Sequence, residues 1–178
     1  MTTDGADRGA QQRATRTYLQ LTDRAQLRPK TLDHEGVRVD RLERCAPAFW
    51  RSLYVEVGGP YHWVDRLPWT DEEIAAYLAD PNTSLWILTV DGEVAGYFEL
   101  RREAEDAVEI AYFGLRPTFY GRGLGAHLLT IAAQRAFDLG ATRVWLHTST
   151  LDHPAALSNY RRRGFTPFRT EEYVVPPI

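Results

Sequence analysis

The stretch from Glu109 to Phe137, EIAYFGLRPTFYGRGLGAHLLTIAAQRAF, constrains the fold more than any other part of the chain. It reads as a strand, a short connection, a glycine-punctuated turn and a long amphipathic helix. Val108 to Leu115 is apolar and aromatic, and Arg116-Pro117 closes it, because proline neither donates to a ladder nor permits helix before it. Leu124, Leu128, Ile131, Ala132 and Arg135 recur on one helical stripe, with Leu129, Ala133, Ala136 and Phe137 beside it, and Gly140 ends the helix. Between strand and helix lie Gly121, Gly123 and Gly125. Glycines at this spacing let a diphosphate approach the main chain, where N–H groups and the positive end of the helix dipole meet the anion. A glycine-rich turn with no ligand fits the same residues.

The rest of the chain supplies a sheet around this unit. Met1 to Arg16 is small, polar and charged, so a disordered leader is expected before a domain spanning residues 17–178. Thr17 to Leu21 and Val37 to Leu42 alternate as short strands, and Pro47 to about Val57 carries Phe49, Trp50, Leu53, Tyr54 and Val57 at helical spacing. Gly58-Gly59-Pro60 stops that helix. Thr70 and Glu73 have the spacing of a capping box, which opens a helix to about Ala79. Leu85 to Val90 and Val94 to Arg101 flank Asp91-Gly92, a strong hairpin signal. Past the long helix come a strand from Arg143 to His147, a short helix opened by Asp152-His153-Pro154 and closed by Gly164, and one or two strands from Phe165 to Val175. A helix joining two strands requires a crossover, so the sheet is mixed rather than purely antiparallel.

Composition narrows the classes. The 178 residues, 44% hydrophobic and 25% charged, suit one domain with a real core, and a formal charge of −3 gives no argument for a nucleic-acid partner. Cys45 is the sole cysteine, which excludes an internal disulfide and makes a cysteine-based zinc site a poor expectation. His62, His127, His147 and His153 do not form a metal-ligand spacing, so no metal is expected. With no apolar run of membrane-spanning length and no signal-peptide core, a cytoplasmic protein without a membrane partner is expected.

Two signatures now resemble the GNAT superfamily of acetyl-CoA-dependent N-acetyltransferases, from about Val37 to the C-terminus. The family's phosphate turn, Gln or Arg, two residues, Gly, one residue, Gly or Ala, is matched by Tyr120-Gly121-Arg122-Gly123-Leu124-Gly125, with Tyr120 in place of the usual first residue. Nearer the C-terminus, the family often has Asn, two residues, Ala, three residues, Tyr, three residues, Gly-Phe. Here His153, Ala156, Tyr160 and Gly164-Phe165 hold those positions, with His153 for the Asn. The resemblance implies an α/β fold: a central mixed, twisted sheet of about six to seven strands flanked by about four helices. It also implies transfer of an acetyl group to a primary amine by direct attack within a ternary complex.

By the same resemblance, Phe113, Gly114 and Leu115 line the pantetheine arm of acetyl-CoA at a bulge where the strand splays from its neighbour. Tyr120, Gly121, Arg122, Gly123, Leu124, Gly125 and Ala126, with His153 and Asn159, complete the acetyl-CoA site. Tyr160 takes the place of the general acid beside the sulfur. For the base, Glu109 holds the position of a catalytic glutamate in one branch of the family; Glu99 and an ordered water remain alternatives. Burial on an apolar strand would raise a carboxyl's pKa toward the working range of a base.

The acceptor is less legible. In the family the segment between the first two helices covers it, here the aromatic run Tyr61 to Trp69. Trp50, Tyr54, Tyr61, Trp63 and Asp65, with Glu56 nearby, would suit a cationic amine through cation–π contact and charge pairing. The same aromatics would equally serve to pack the lid on the core. The expected partner is a small-molecule amine, with a second copy of the chain in a homodimer as a further one. A protein or peptide acceptor, or an acyl-CoA-binding sensor with little catalysis, is the alternative. Gly121, Gly123 and Ala126 also fit a dinucleotide fingerprint, but that motif belongs directly after the first strand of a repeated βαβ array.

Overall fold

In a computed structural model that describes residues 11–178, the chain forms one seven-stranded mixed sheet with four α-helices. The strands are β1 (Arg13–Leu21), β2 (Val37–Arg41), β3 (Thr83–Val90), β4 (Glu93–Arg102), β5 (Ala107–Leu115), β6 (Arg143–Ser149) and β7 (Thr166–Val174). The helices are α1 (Pro47–Gly58), α2 (Asp71–Ala79), α3 (Leu124–Asp138) and α4 (Ala156–Arg162). The sheet order is β2-β3-β4-β5-β6-β1-β7, antiparallel throughout except where β5 meets β6.

Local chemistry sets the element ends. The Thr70 hydroxyl accepts from the Glu73 N–H at 3.2 Å while the Glu73 carboxylate accepts from the Thr70 N–H at 2.8 Å, a complete capping box on α2. Asp91 and Gly92 both adopt positive φ, 51° and 81°, as the tight turn between β3 and β4 requires. Pro154 stands outside α4, which begins at Ala156; Asp152 instead folds the connection back by accepting from the Ser149 N–H at 2.8 Å.

The two faces of the sheet carry separate cores. Leu124, Leu128, Leu129, Ala132, Ala133 and Ala136 of α3 pack on Phe98, Leu100, Val108, Ile110, Val144 and Leu146. On the opposite face α1 and α2 cover Leu85, Ile87 and Tyr97 with Trp50, Leu53, Tyr54, Val57 and Ile74. Burial on this scale is what stabilises a chain of this size, at about 25 cal/mol per Å² of apolar surface. Loop 28–32 runs along α3, where the Leu32 N–H donates to His127 Nδ1 and the Lys30 N–H to Thr130 Oγ1, both at 3.0 Å. His127 is thus a satisfied packing residue, and burial lowers its pKa.

One expectation needs correction. The leader expected through Arg16 already pairs in β1 from Arg13, while its first ten residues lie outside the described part. β1 is an inner strand, hydrogen-bonded to β6 on one edge and β7 on the other, and its arginines face Glu172 and Glu171 of β7. Backbone pairing on both edges compensates for side chains too polar to signal a strand.

Candidate active site

The site forms where β5 and β6 part. They share three parallel rungs, Ala107↔Arg143, Val108↔Val144 and Glu109↔Trp145, and then β6 stays with β1 while β5 continues with β4 alone. Ala111 is an extra residue in β5 relative to β4, a bulge between the Glu99↔Tyr112 and Leu100↔Ile110 rungs that bends β5 outward. The resulting wedge opens a cleft of about 600 Å³ running from the glycine turn to the loop between α1 and α2. Phe113, Gly114 and Leu115 line it, so their main chain on the β6 side faces open space.

The glycine turn stands at one end. Gly121 and Gly123 hold φ values of 77° and 74°, which disfavour any residue with a Cβ, and α3 starts at Leu124 with no side-chain cap on its first N–H groups. Gly125 differs, because it lies in the first turn of α3 without positive φ, and a Cβ there would meet only Asn159 Nδ2 at an ordinary 3.7 Å. Nothing in the fold demands glycine at Gly125, yet it costs helix stability. A group outside the chain that approaches this backbone closely explains it, and uncapped N–H groups suit an anion. The residues present therefore fit the diphosphate of a coenzyme.

Glu109 and Tyr160 flank the wedge from opposite faces of the sheet. Glu109 is half-buried at the last shared rung on the α1/α2 side, with no hydrogen bond or ion pair among the described residues. Burial first, and then nearby Glu103, raise its pKa to about 7 against the opposing charges of Arg66 and Arg101. Tyr160 packs in the α3-side core edge-on to Phe113 and Phe165, and lines the cleft. Burial raises its pKa, so its hydroxyl is protonated at neutral pH.

Of the other residues expected at the site, Tyr120, Gly121, Gly125, Ala126, His153 and Asn159 line the cleft, as do Tyr61, Trp63 and Asp65. The Asn159 amide donates to the Gly125 carbonyl at 3.1 Å, tying α4 to the turn. Tyr120 bonds the lid residue Tyr61, hydroxyl to hydroxyl at 2.8 Å, and the His153 ring stands edge-on to both. The lid is seated deeper by Trp63, whose ring fills the space where Gly58 has no Cβ and whose Nε1 faces Asp152 Oδ1 at 3.4 Å.

Several placements differ from the expectation. Trp50 and Tyr54 are fully buried under α1 and do not reach the cleft: Trp50 Nε1 donates to Glu99 at 2.5 Å, and the Tyr54 hydroxyl accepts from the Arg66 N–H. In the glycine turn, Arg122 sends its side chain to the Thr118 carbonyl and the Phe119 ring, the Leu124 side chain is buried in the core, and the missing Cβ of Gly123 points toward Leu32, so these three offer a ligand their main chain alone. Glu56 pairs with Arg116 and stands outside the cleft. Glu99 is 0% exposed and does not line the cleft, and both its oxygens accept from buried donors of Trp50, Arg66 and Tyr77, so a substrate proton does not reach it. Arg66 was the residue that sequence reasoning undervalued. Its guanidinium bonds Glu99 at 2.7 Å and lies among the rings of Trp69, Tyr77 and Tyr112, which anchors the lid. A lone carboxylate on an apolar strand and a lone arginine in an aromatic run were the signal for that pair.

Among the described residues, no helix is long and apolar enough to cross a membrane, and no group of three or more His, Cys, Asp or Glu could hold a metal ion.

Comparison with known proteins agrees with this geometry. The model of the Acetyltransferase (GNAT) family matches residues 43–165. A protein of Lactobacillus delbrueckii subsp. lactis named as an uncharacterized N-acetyltransferase is 30% identical over 115 residues, which cover 59% of this chain and 64% of that one. A mycothiol acetyltransferase of Corynebacterium aurimucosum is 38% identical over 76 residues, 41% of this chain and 25% of its own length. A GCN5-related N-acetyltransferase from Kribbella flavida superposes with a TM-score of 0.66 at 21% identity, over 92% of this chain and 58% of that chain. The chain thus spans about three fifths, or less, of the length of these relatives.

Proposed function

The chain belongs to the GNAT acetyltransferase family, and from that premise we propose that it moves an acetyl group from acetyl-CoA to the primary amine of a small molecule, with donor and acceptor bound together. The observation that carries this reading is the wedge between β5 and β6, with a carboxylate on one face, a phenol on the other and an uncapped, glycine-lined helix start at its end.

Acetyl-CoA, when bound, supplies the acetyl group as a thioester. The N–H groups at the start of α3 hold its diphosphate, and the free edge of β5 at Phe113, Gly114 and Leu115 holds the arm in the wedge. The amine arrives from the lid side, where the rings of Tyr61 and Trp63 and the carboxylate of Asp65 favour a cation. Glu109 accepts the proton that makes the amine a nucleophile, directly or through one water, and a pKa of about 7 suits that task. Tyr160 hydrogen-bonds the leaving sulfur as the C–S bond breaks and passes its proton as the intermediate collapses; burial keeps the hydroxyl protonated at neutral pH but also makes it the weaker acid, so the collapse has to drive the transfer.

The test is calorimetric titration with acetyl-CoA followed by an amine library with thiol release as the readout. Acetyl-CoA binding with amine-dependent thiol release is the expected result. Binding without thiol release for any amine would leave only a coenzyme-binding module.

A further inference from the structure

We infer that the acceptor carries, several bonds away from its amine, a carboxylate that docks on Arg16. This deepens the acyl-transfer reading and rests on it.

The cleft carries charges of both signs. Asp65 and Glu109 line it from the lid and β5, and the two arginines beside them already have carboxylate partners, Arg66 with Glu99 at 2.7 Å and Arg101 with Asp80 at 3.6 Å. Asp152 also lines the cleft, but its oxygens are taken by Thr148, the Ser149 N–H and Trp63, so it serves the fold. The wall formed by β6, β1 and β7 is different in kind. Arg16 of β1 reaches the cleft there, with its guanidinium stacked 4.6 Å from the centre of the Tyr173 ring. Beside it the Ser149 and Tyr173 hydroxyls bond each other at 2.8 Å, and His147 completes the wall.

Arg16 is under-satisfied where it stands. Its one hydrogen bond goes from an amino group to Glu171 Oε1 at 3.2 Å, while Nε is buried without a partner among the described residues. Glu171 does not cancel the charge, because it also accepts from the Tyr18 hydroxyl at 2.7 Å and from Arg169 at 2.6 Å. One carboxylate shared by two arginines leaves this wall cationic. A guanidinium that is stacked, 28% exposed and short of acceptors is a fork for a planar carboxylate.

Strand register sets the length of the acceptor. Arg16 aligns with Ser149, and Glu109 with Trp145, both on β6. Those rungs are four residue steps apart along β6, about 13 Å at ~3.3 Å per residue. The side chains shorten that span, but an α-amino group next to its own carboxylate does not bridge it. The class is an aminocarboxylic acid with separated ends, such as an ω-amino acid.

The experiment compares ω-amino acids of increasing chain length with their amides, which keep size and amine but lose the charge. With the wild type, kcat/KM for the acid is expected to exceed that for its amide by roughly tenfold or more, mainly through KM. R16Q should erase the preference, R16K should keep part of it, and acetyl-CoA affinity should hold in both. Equal use of acid and amide, a preference that survives R16Q, or acetyl-CoA binding with no acid turned over would each overturn the inference. Failure of acetyl-CoA to bind is a separate outcome and would remove the acyl-transfer reading itself.

Discussion

Glu109 and Trp145 face each other at the last rung that β5 and β6 share, so the carboxylate stands where the sheet begins to open. A base at this point works only when deprotonated. Its pKa of about 7 predicts that kcat/KM rises with pH through that value. E109Q should remove this limb and lower kcat by about 10²-fold or more. A pH–rate profile unchanged in E109Q would assign the base elsewhere.

The same shift has a stability consequence. Between the ordinary 4.5 and about 7, the folded chain binds more protons at Glu109 than the unfolded chain does. Its contribution to stability is therefore fully present below 4.5 and is lost as pH rises to about 7. Denaturant midpoints of E109Q and wild type should diverge in the variant's favour from pH 4.5 to pH 8. A constant difference would mean that Glu109 is not buried as described.

Gly125→Ala separates fold from ligand. Alanine in the first turn of α3 should stabilise the chain by about 0.5–1 kcal/mol, because no positive φ or backbone clash opposes it. The methyl group intrudes on the diphosphate site, so acetyl-CoA affinity should fall by roughly tenfold or more. A variant that melts higher and binds as well as wild type would show that the glycine answers to something else.

Tyr160→Phe should keep acetyl-CoA affinity and lower kcat by about 10²-fold, since the change removes the hydroxyl alone and keeps the ring packed on Phe113 and Phe165. Equal losses in affinity and kcat would mark the hydroxyl as a binding group.

Glu99→Ala should leave the Arg66 guanidinium buried and unpaired at a cost of about 3–5 kcal/mol, read by chemical denaturation. Burial alone would lower the Arg66 pKa, but the Glu99 carboxylate together with Tyr77 and Tyr112 more than offsets it, so the arginine stays charged. The double change Arg66→Met with Glu99→Met should recover most of that loss; no recovery would mean that the pair's charge is not what the core depends on.

Much of the fold was legible because local rules carried it. The Thr70 and Glu73 box, the Asp91-Gly92 turn and the stripe from Leu124 to Phe137 each act within a few residues. The start of β1 was not, because Arg13 to Arg16 are held by partners more than a hundred residues away. The site divided along the same line. Glu109, Tyr160 and Gly125 follow from motif spacing, whereas Trp50 and Tyr54 share the acceptor segment's aromatic character yet serve the core beneath it. Arg16 gave no signal at all, since only the insertion of β1 between β6 and β7 brings it to the cleft.

The most direct measurement is calorimetric titration of the wild type and Gly125→Ala with acetyl-CoA. Saturable one-to-one binding to the wild type, weakened in the variant, is the predicted result. No heat of binding with acetyl-CoA or a longer acyl-CoA, from a chain that melts cooperatively, would contradict the account.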